Sequence, residues 1–357
     1  MDYIQEDFVM RLFKQPYPSQ LAGSRIASKL GRNLFAPAPG IRRMDSASKT
    51  LAAIAALMVA ASCAPLSHAQ GPKKVTSWNV DPTYLYRDSN TAPDQPSDMT
   101  TATCHFKPLF GVGDPNNPPV TTDGDTLGSV SRFSKVVVDP NGSCATVQYP
   151  KEDQIYVVLN GTGSAAYADQ GVPLKAEDFL YIPATVQHTL KNPSSAPFAV
   201  LIMGFHTDGY EAGPLPAQPL VSNIEDVPIE ALNGHPDTTH YRLLLGPATG
   251  KRDKFDVGRV VVSLFLMEID PGGTNHPHHH FNAEEIYFDL SGQGDEVAGD
   301  GGDGTEGKHP AKPGDAWFYR ENGTVGYYSA PGVKSRVLAV RSTHPGWPSR
   351  QAAPAAH

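Results

Sequence analysis

The sequence predicts an all-β protein in which one domain of short strands occurs twice. Glycine and proline number 33 each among 357 residues, and charged residues make up only 18%, a composition typical of many short strands and turns. Runs of β-branched and aromatic residues bounded by turn residues recur along the chain. A self-similar segment also appears at a fixed offset. No helical pattern of 15 residues or more follows the apolar segment near the amino terminus.

Eight runs of this kind predict the strands of the two domains. Their residues are 132–138, 154–159, 179–182 and 198–203 in the first half, and 259–269, 286–290, 317–319 and 337–340 in the second.

The duplication is visible when residues 139–163 are placed over residues 270–294. At a constant offset of 131, without a gap, eight of the 25 positions are identical. The identical residues are turn glycines and strand apolar residues, so a strand–turn–strand scaffold repeats. Because the period is far longer than a solenoid unit, it indicates a duplicated domain.

The amino-terminal part has the three-part pattern of a secretory signal peptide. A basic flank precedes the apolar residues 51–64, and the small-residue exit Ser67-His68-Ala69 follows them. Fourteen apolar residues are too few to span a bilayer, so no stable membrane span is expected. We therefore predict export to the periplasm or the extracellular space. Ala61-Ser62-Cys63 resembles a lipobox, which leaves lipid attachment at Cys63 open.

The remaining boundaries follow from composition. Residues 1–43 are an over-extended gene start or a disordered leader. The predicted segments are a signal peptide over 44–69, a polar arm over 70–98, a first domain over 99–212, a linker over 213–223, a second domain over 224–345 and a tail over 346–357. After cleavage, Cys104 and Cys144 remain as an even pair, which forms either a disulfide or two unrelated buried thiols.

Charge and missing motifs exclude several functions. The formal net charge is −8 and no run of lysine and arginine occurs, which argues against nucleic-acid binding. The sequence contains no Gly-x-Ser-x-Gly elbow, phosphate loop, dinucleotide fingerprint or Cys-x-x-Cys pair.

Two motifs occur in order in each half. The first motif of the second half comprises Gly273, His278, His280, Glu285 and Gly292. The second motif is found at Asp178, Pro183 and His188, and more faintly at Pro313-Gly314-Asp315. These motifs resemble those of the cupin superfamily, and the similarity covers roughly residues 100 to 345 of a two-domain arrangement. The resemblance implies a jelly-roll β-barrel for each half, with any ligand site in the barrel mouth.

His278, His280 and Glu285 are the candidate metal ligands. The two histidines alternate as strand residues on one face, and Glu285 lies across a short loop from them. Two imidazoles and a carboxylate suit one divalent transition metal, whether Fe, Mn, Cu, Ni or Zn. The alternative is a solvated histidine-rich turn. The second-motif histidine is absent, because His188 aligns with Val325 or, on a shared Thr-Val pair, with Tyr327.

The first domain has lost this ligand set. Val147, Tyr149 and Gln154 stand at the three ligand positions, and only His188 is retained. One histidine does not hold a metal, so we predict a structural domain or a metal-free pocket formed by His188, Tyr149 and Gln154.

Two-domain cupins include ring-cleaving dioxygenases and oxalate decarboxylases. The resemblance therefore implies a metal-dependent enzyme acting on a small organic acid or phenol in the second barrel, with Glu284 or Tyr327 handling protons. The alternative is a non-catalytic protein that binds a small molecule. A purely structural or oligomer-forming module would fit the first barrel alone, and a homodimer is expected.

Overall fold

In the computed structural model, the described residues are 84–111, 128–207, 210, 216, 218–232, 234–280, 283–299, 307–319 and 323–343. They form 21 strands, and their only helical piece is a 3₁₀ turn at Ile224–Asp226. The first strands are β1 (Tyr84–Asp88), β2 (Cys104–Phe110), β3 (Val130–Val138), β4 (Glu152–Asn160), β5 (Thr162–Tyr167), β6 (Gln170–Lys175), β7 (Asp178–Ile182), β8 (His188–Lys191), β9 (Phe198–His206) and β10 (Leu220–Asn223). The others are β11 (Ile229–Glu230), β12 (Thr239–Pro247), β13 (Phe255–Gly258), β14 (Val261–Ile269), β15 (Thr274–His279), β16 (Glu284–Ser291), β17 (Gly294–Gly299), β18 (Gly307–Ala311), β19 (Asp315–Tyr319), β20 (Thr324–Ser329) and β21 (Ser335–Ser342).

The strands form two barrels, each with a large and a small sheet. In the first barrel, the six-stranded sheet β10-β7-β4-β9-β3-β2 is combined with the three-stranded sheet β6-β5-β8. In the second barrel, the eight-stranded sheet β1-β19-β16-β21-β14-β12-β11, with β13 beside β12, is combined with the four-stranded sheet β15-β20-β17-β18. The prediction of an all-β protein with two tandem jelly-roll barrels is confirmed.

The large-sheet strands are buried on both faces, and their side chains alternate between two cores. Along β4, Tyr156 and Val158 point into the first barrel, whereas Ile155 and Val157 join a core shared with the second barrel. In that shared core the rings of Phe133 and Phe288 lie 6.2 Å apart. The two large sheets therefore pack against each other, and each barrel keeps its own interior.

The segments before the two barrels contribute strands to the opposite barrels. β1 lies in the predicted polar arm and pairs antiparallel with β19 of the second barrel. β10 lies in the predicted linker and pairs antiparallel with β7 of the first barrel. Leu85 and Tyr86 are buried in these contacts, because an edge strand offers unpaired backbone groups that an extended segment can satisfy. The arm and the linker thus both contain strands.

Cys104 and Cys144 form a disulfide within the first barrel. The sequence left open a disulfide or two unrelated buried thiols, and the structure contains the disulfide. The predicted leader, signal peptide, Cys63 and tail lie outside the described residues. In the described part of the chain, no helix has the length and apolar character needed to cross a membrane.

Candidate metal centre in the second barrel

The three predicted metal ligands come together at one end of the second barrel. His278 belongs to β15, His280 directly follows that strand, and Glu285 is the second residue of β16. One ligand atom from each residue lies within 4.8 Å of those of the other two. The Nε2 atoms of His278 and His280 are 2.9 Å apart, and Nε2 of His280 is 3.0 Å from Oε2 of Glu285.

The hydrogen bonds fix the tautomer of His278. Its Nδ1 lies 2.7 Å from the carbonyl oxygen of His276, which can only accept, so Nδ1 carries the proton and Nε2 keeps its lone pair. Burial, together with neighbouring His280, lowers the pKa of His278 to about 4. At neutral pH the imidazole is therefore uncharged, which is the form that binds a metal.

His280 has the opposite tautomer because of Arg341 on β21. The guanidinium Nη1 lies 2.8 Å from Nδ1 of His280, and a guanidinium can only donate. The proton of His280 is therefore on Nε2 and points to the lone pair of His278 Nε2. A cation shared by the two imidazoles would displace this proton.

Glu285 places a buried carboxylate beside His278 and His280. Its side chain is 2% exposed, and neither carboxylate oxygen receives an aligned hydrogen bond from the described residues. Burial opposes ionisation, but neighbouring His280, then Arg341 and His278, bring the pKa of Glu285 below its ordinary value. A buried carboxylate beside two imidazole nitrogens, one of them 3.0 Å from Oε2, is a donor set that fits a divalent transition metal.

The cross-strand register identifies the position of the missing second-motif histidine. Val325 lies opposite His278 in the β15–β20 pair, as His188 lies opposite Val147 in the first barrel. Of the two alignments that the sequence allowed, the register supports Val325. Tyr327 lies two residues further along β20, and its buried hydroxyl is 3.3 Å from that of Ser335.

Glu284, the other predicted catalytic residue, points away from the metal ligands. Because consecutive strand residues face opposite sides, its carboxylate lies on the face of β16 that packs against the first barrel. It accepts hydrogen bonds from the backbone N–H of Gly128 at 2.8 Å and from the hydroxyl of Ser129 at 3.1 Å. Its predicted catalytic role stays a prediction, and this placement gives it contacts between the barrels.

Sequence reasoning missed two residues at the site, Arg341 and His235. His235 lies between β11 and β12, and its imidazole centroid is 5.9 Å from that of His278, with the rings perpendicular. Its Nδ1 lies 2.8 Å from the hydroxyl of Tyr241 and 3.2 Å from Oδ1 of Asn275. Neither residue belongs to a motif with fixed spacing, so the sequence carried no local signal for them.

In the first barrel, the three predicted pocket residues lie together around a buried arginine. Arg132 is 1% exposed, and its Nη1 donates to the hydroxyl of Tyr149 at 2.8 Å. Its guanidinium also pairs with Glu152, which accepts a hydrogen bond from Gln154 at 2.8 Å. Nε2 of His188 lies 2.9 Å from the hydroxyl of Tyr156, and burial lowers the pKa of His188 to about 4.

This arrangement fills the position that corresponds to the metal site. The ring of Tyr149 is 4.0 Å from the guanidinium carbon of Arg132, and the ion pairs neutralise the buried charge. Most polar groups of this first-barrel cluster pair with one another, whereas Oε1 of Gln154 is buried without a hydrogen-bond partner among the described residues. The structural domain and the metal-free pocket both stay predictions.

Comparisons with known proteins agree with this architecture. The family model described as "Cupin domain" matches residues 134–204, which lie in the first barrel. Among curated proteins, none matches the chain. The fold and the paired motifs define a protein of two jelly-roll barrels. Residues 134–204 match a cupin domain, and the second barrel has the same two-sheet architecture.

Solved structures with the same fold cover most of the chain. A putative glyoxylate-induced protein from Pseudomonas aeruginosa is 14% identical, with a TM-score of 0.59, and the alignment covers 79% of this chain and 96% of that one. The Ylba protein of E. coli is 11% identical with a TM-score of 0.54, covering 78% and 97%. An oxalate decarboxylase from Lactobacillus farciminis, in complex with formate, is 11% identical with a TM-score of 0.54, covering 72% and 86%. At these identities the likeness concerns the fold.

Proposed function

We propose that the second barrel binds one divalent transition metal and acts as a metal-dependent enzyme on a small organic acid or phenol, by decarboxylation or dioxygenation. The observation that carries this proposal is the convergence of His278, His280 and Glu285, with two imidazole nitrogens and a buried carboxylate. The metal, whether Fe, Mn, Cu, Ni or Zn, would act as a Lewis acid on a substrate oxygen. Oxygenation would require a redox-active metal.

Arg341 favours an anionic substrate over a neutral one. When Nε2 of His280 gives its lone pair to a metal, the neutral ring carries its proton on Nδ1. Nδ1 can then no longer accept the hydrogen bond from Arg341 that the structure shows. The guanidinium is released beside the metal ligands, where it can pair with a carboxylate in a bidentate manner.

The alternative of a non-catalytic small-molecule binder is supported by the incomplete ligand set, with Val325 at the second-motif position. The disulfide between Cys104 and Cys144 supports the proposed export, because disulfides persist in oxidising compartments. Lipid attachment at Cys63 and a homodimer stay predictions.

Metal content separates these proposals. The full-length chain and its His278→Ala variant are analysed by mass spectrometry after reconstitution with each metal, with His240→Ala as the control. His240 is a matched choice because it pairs with Asp270 outside the metal site. We expect about one metal per chain, lost only in His278→Ala.

Oxygen uptake and CO₂ release are then measured with small carboxylic acids and phenols. Absence of metal from the native chain would contradict the metalloenzyme, and metal without turnover would favour the binder.

A further inference from the structure

His235 is an imidazole next to the candidate metal site, with its ring centroid 5.9 Å from that of His278. It comes from the segment that enters the second barrel before β12, whereas His278 and His280 come from the segment between β14 and β16. In the cross-strand register, the position of the second-motif histidine is occupied by Val325, which has no donor atom. A nitrogen ligand is therefore missing from β20, and an unassigned imidazole lies next to the site.

The tautomer of His235 suits metal binding. Asn275 Oδ1 accepts a hydrogen bond from the hydroxyl of Tyr241 at 3.1 Å and faces Nδ1 of His235 at 3.2 Å. The amide nitrogen of Asn275 donates to the hydroxyl of Tyr287 at 3.0 Å, which sets the orientation of the amide. When the Tyr241 hydroxyl donates to Oδ1 of Asn275, its oxygen, 2.8 Å from Nδ1 of His235, accepts from that nitrogen, so Nδ1 carries the proton and Nε2 keeps the lone pair. A hydrogen bond from the remote ring nitrogen to a fixed acceptor is the arrangement that supports metal-binding histidines.

The separation of the rings is also compatible with a shared metal. An imidazole nitrogen binds a metal at about 2.1 Å, which places the ring centroid roughly 3.2 Å from the metal. Two such rings lie roughly 4.5 Å apart at a right angle and at most about 6.4 Å apart. The centroids of His278 and His280 are 4.6 Å apart, and those of His235 and His278 are 5.9 Å apart.

His235 is half-buried beside these ligands. It is outside the group whose ligand atoms converge within 4.8 Å, so coordination requires its side chain to move toward His278.

We propose that His235 is the fourth protein ligand of the second-barrel metal and replaces the absent second-motif histidine. This proposal rests on the proposed metal binding and adds a ligand that the cupin motifs do not contain. It completes a set of three imidazoles and one carboxylate, with the fourth ligand supplied from between β11 and β12.

The test counts nitrogen ligands directly. The full-length chain is loaded with Cu(II), and the coordinated imidazoles are counted by pulsed electron paramagnetic resonance, with dissociation constants measured by chelator competition. We expect three imidazoles in the native chain and in His240→Ala, and two in His235→Ala with a dissociation constant at least about 10-fold higher. Added imidazole should restore the third nitrogen signal in His235→Ala. Circular dichroism checks the fold, and His235→Gln provides a second variant that keeps side-chain volume and polarity.

The outcomes separate the two proposals. If the native chain binds no metal, the proposed function itself fails. If the native chain binds metal through two imidazoles, or if both His235 variants keep the native affinity and nitrogen count, only the role of His235 is overturned.

Discussion

Glu284 and Glu285 are adjacent on β16 but face opposite sides. Replacing each one separately tests whether Glu284 stabilises the contact between the barrels and Glu285 binds the metal. Glu284 accepts hydrogen bonds from the N–H groups of Gly128 and Ser129 and from the Ser129 hydroxyl, at 2.8, 3.3 and 3.1 Å. These bonds join the second barrel to the first. Glu285 faces the barrel interior with the metal-ligating histidines.

The expected loss of stability in Glu284→Ala follows from these contacts. A hydrogen bond to a charged group contributes about 1.5–3 kcal/mol, and a buried group left without its partner costs about 1–3 kcal/mol. Ser129 is 1% exposed, so truncation of Glu284 strands its N–H in the interface. Because the three bonds share one carboxylate and are not additive, we expect Glu284→Ala to lower the free energy of unfolding by about 3 kcal/mol. For a protein of this size this is a fall in Tm of roughly 4–5 °C.

The assay measures stability and metal binding on the same samples. Urea and thermal unfolding are recorded with a chelator present, and metal affinity is measured separately. Glu285→Gln should lose most of the metal affinity while the metal-free protein stays folded. Asp153→Asn is the matched control for the interface, because Asp153 occupies the position 131 residues before Glu284 and pairs with Arg259 of the other barrel. It should destabilise the protein without changing metal affinity.

One result would refute this reasoning. If Glu284→Gln abolished turnover or metal binding at unchanged stability, Glu284 would act in the site as the motif suggested, and its contacts with Ser129 would be incidental.

Two further predictions concern the interiors of the barrels. The disulfide closes a loop with a sequence separation of 40, so Cys104→Ser with Cys144→Ser should cost about 4 kcal/mol, measured by urea unfolding; a loss below about 1 kcal/mol would contradict the loop-entropy argument. Burial, and then the charge of Asp315, raise the pKa of Asp289, so this carboxyl keeps its proton to a higher pH in the folded protein than in the unfolded chain, where it ionises above about pH 4. Stability should therefore fall as pH rises above this value, by about 1.4 kcal/mol for each unit by which the pKa is raised. Asp289→Asn should gain stability relative to the native protein between pH 5 and pH 8, and a pH-independent difference would show that Asp289 is ionised in the fold.

Eight strands of the two large sheets were predictable from sequence because they are continuous apolar runs. Residues 198–203 and 337–340, for example, lie within β9 and β21, which are buried on both faces. Apart from β15, which carries His278, the small-sheet strands were not predicted. β5 and β18 consist mostly of small and polar residues, so their inward and outward positions differ little in apolar character.

The same distinction holds at the site. The ligand trio is encoded within eight consecutive residues, so its spacing is visible in the sequence. His235 and Arg341 reach the site from strands and loops that are distant in sequence and adjacent only through the sheet order. β1 was missed for a related reason, because its partner β19 is more than 220 residues away and its aromatic residues are embedded in a polar segment.

The two barrels each keep one arginine near the ligand positions, but on different strands. Arg132 and Gly204 face each other on β3 and β9, and the corresponding pair on β14 and β21 is Ser263 and Arg341. Each barrel therefore has one arginine and one small residue at this pair of positions, on exchanged strands. A Cβ atom on Gly204 would lie 2.7 Å from Cγ of Arg132, so the glycine makes room for that side chain.

The exchange has opposite consequences in the two barrels. In the first barrel, Arg132 is held by Glu152 and Asp98 and lies next to Gln154, the counterpart of Glu285. Its charge is already neutralised, so the cluster needs neither a metal nor an anionic ligand. In the second barrel, Arg341 lies opposite Glu285 in the strand register and contacts His280. Its partner is an imidazole that would bind the proposed metal, so Arg341, unlike Arg132, would then be able to pair with an anionic ligand. This difference supports the proposal that places the chemistry in the second barrel.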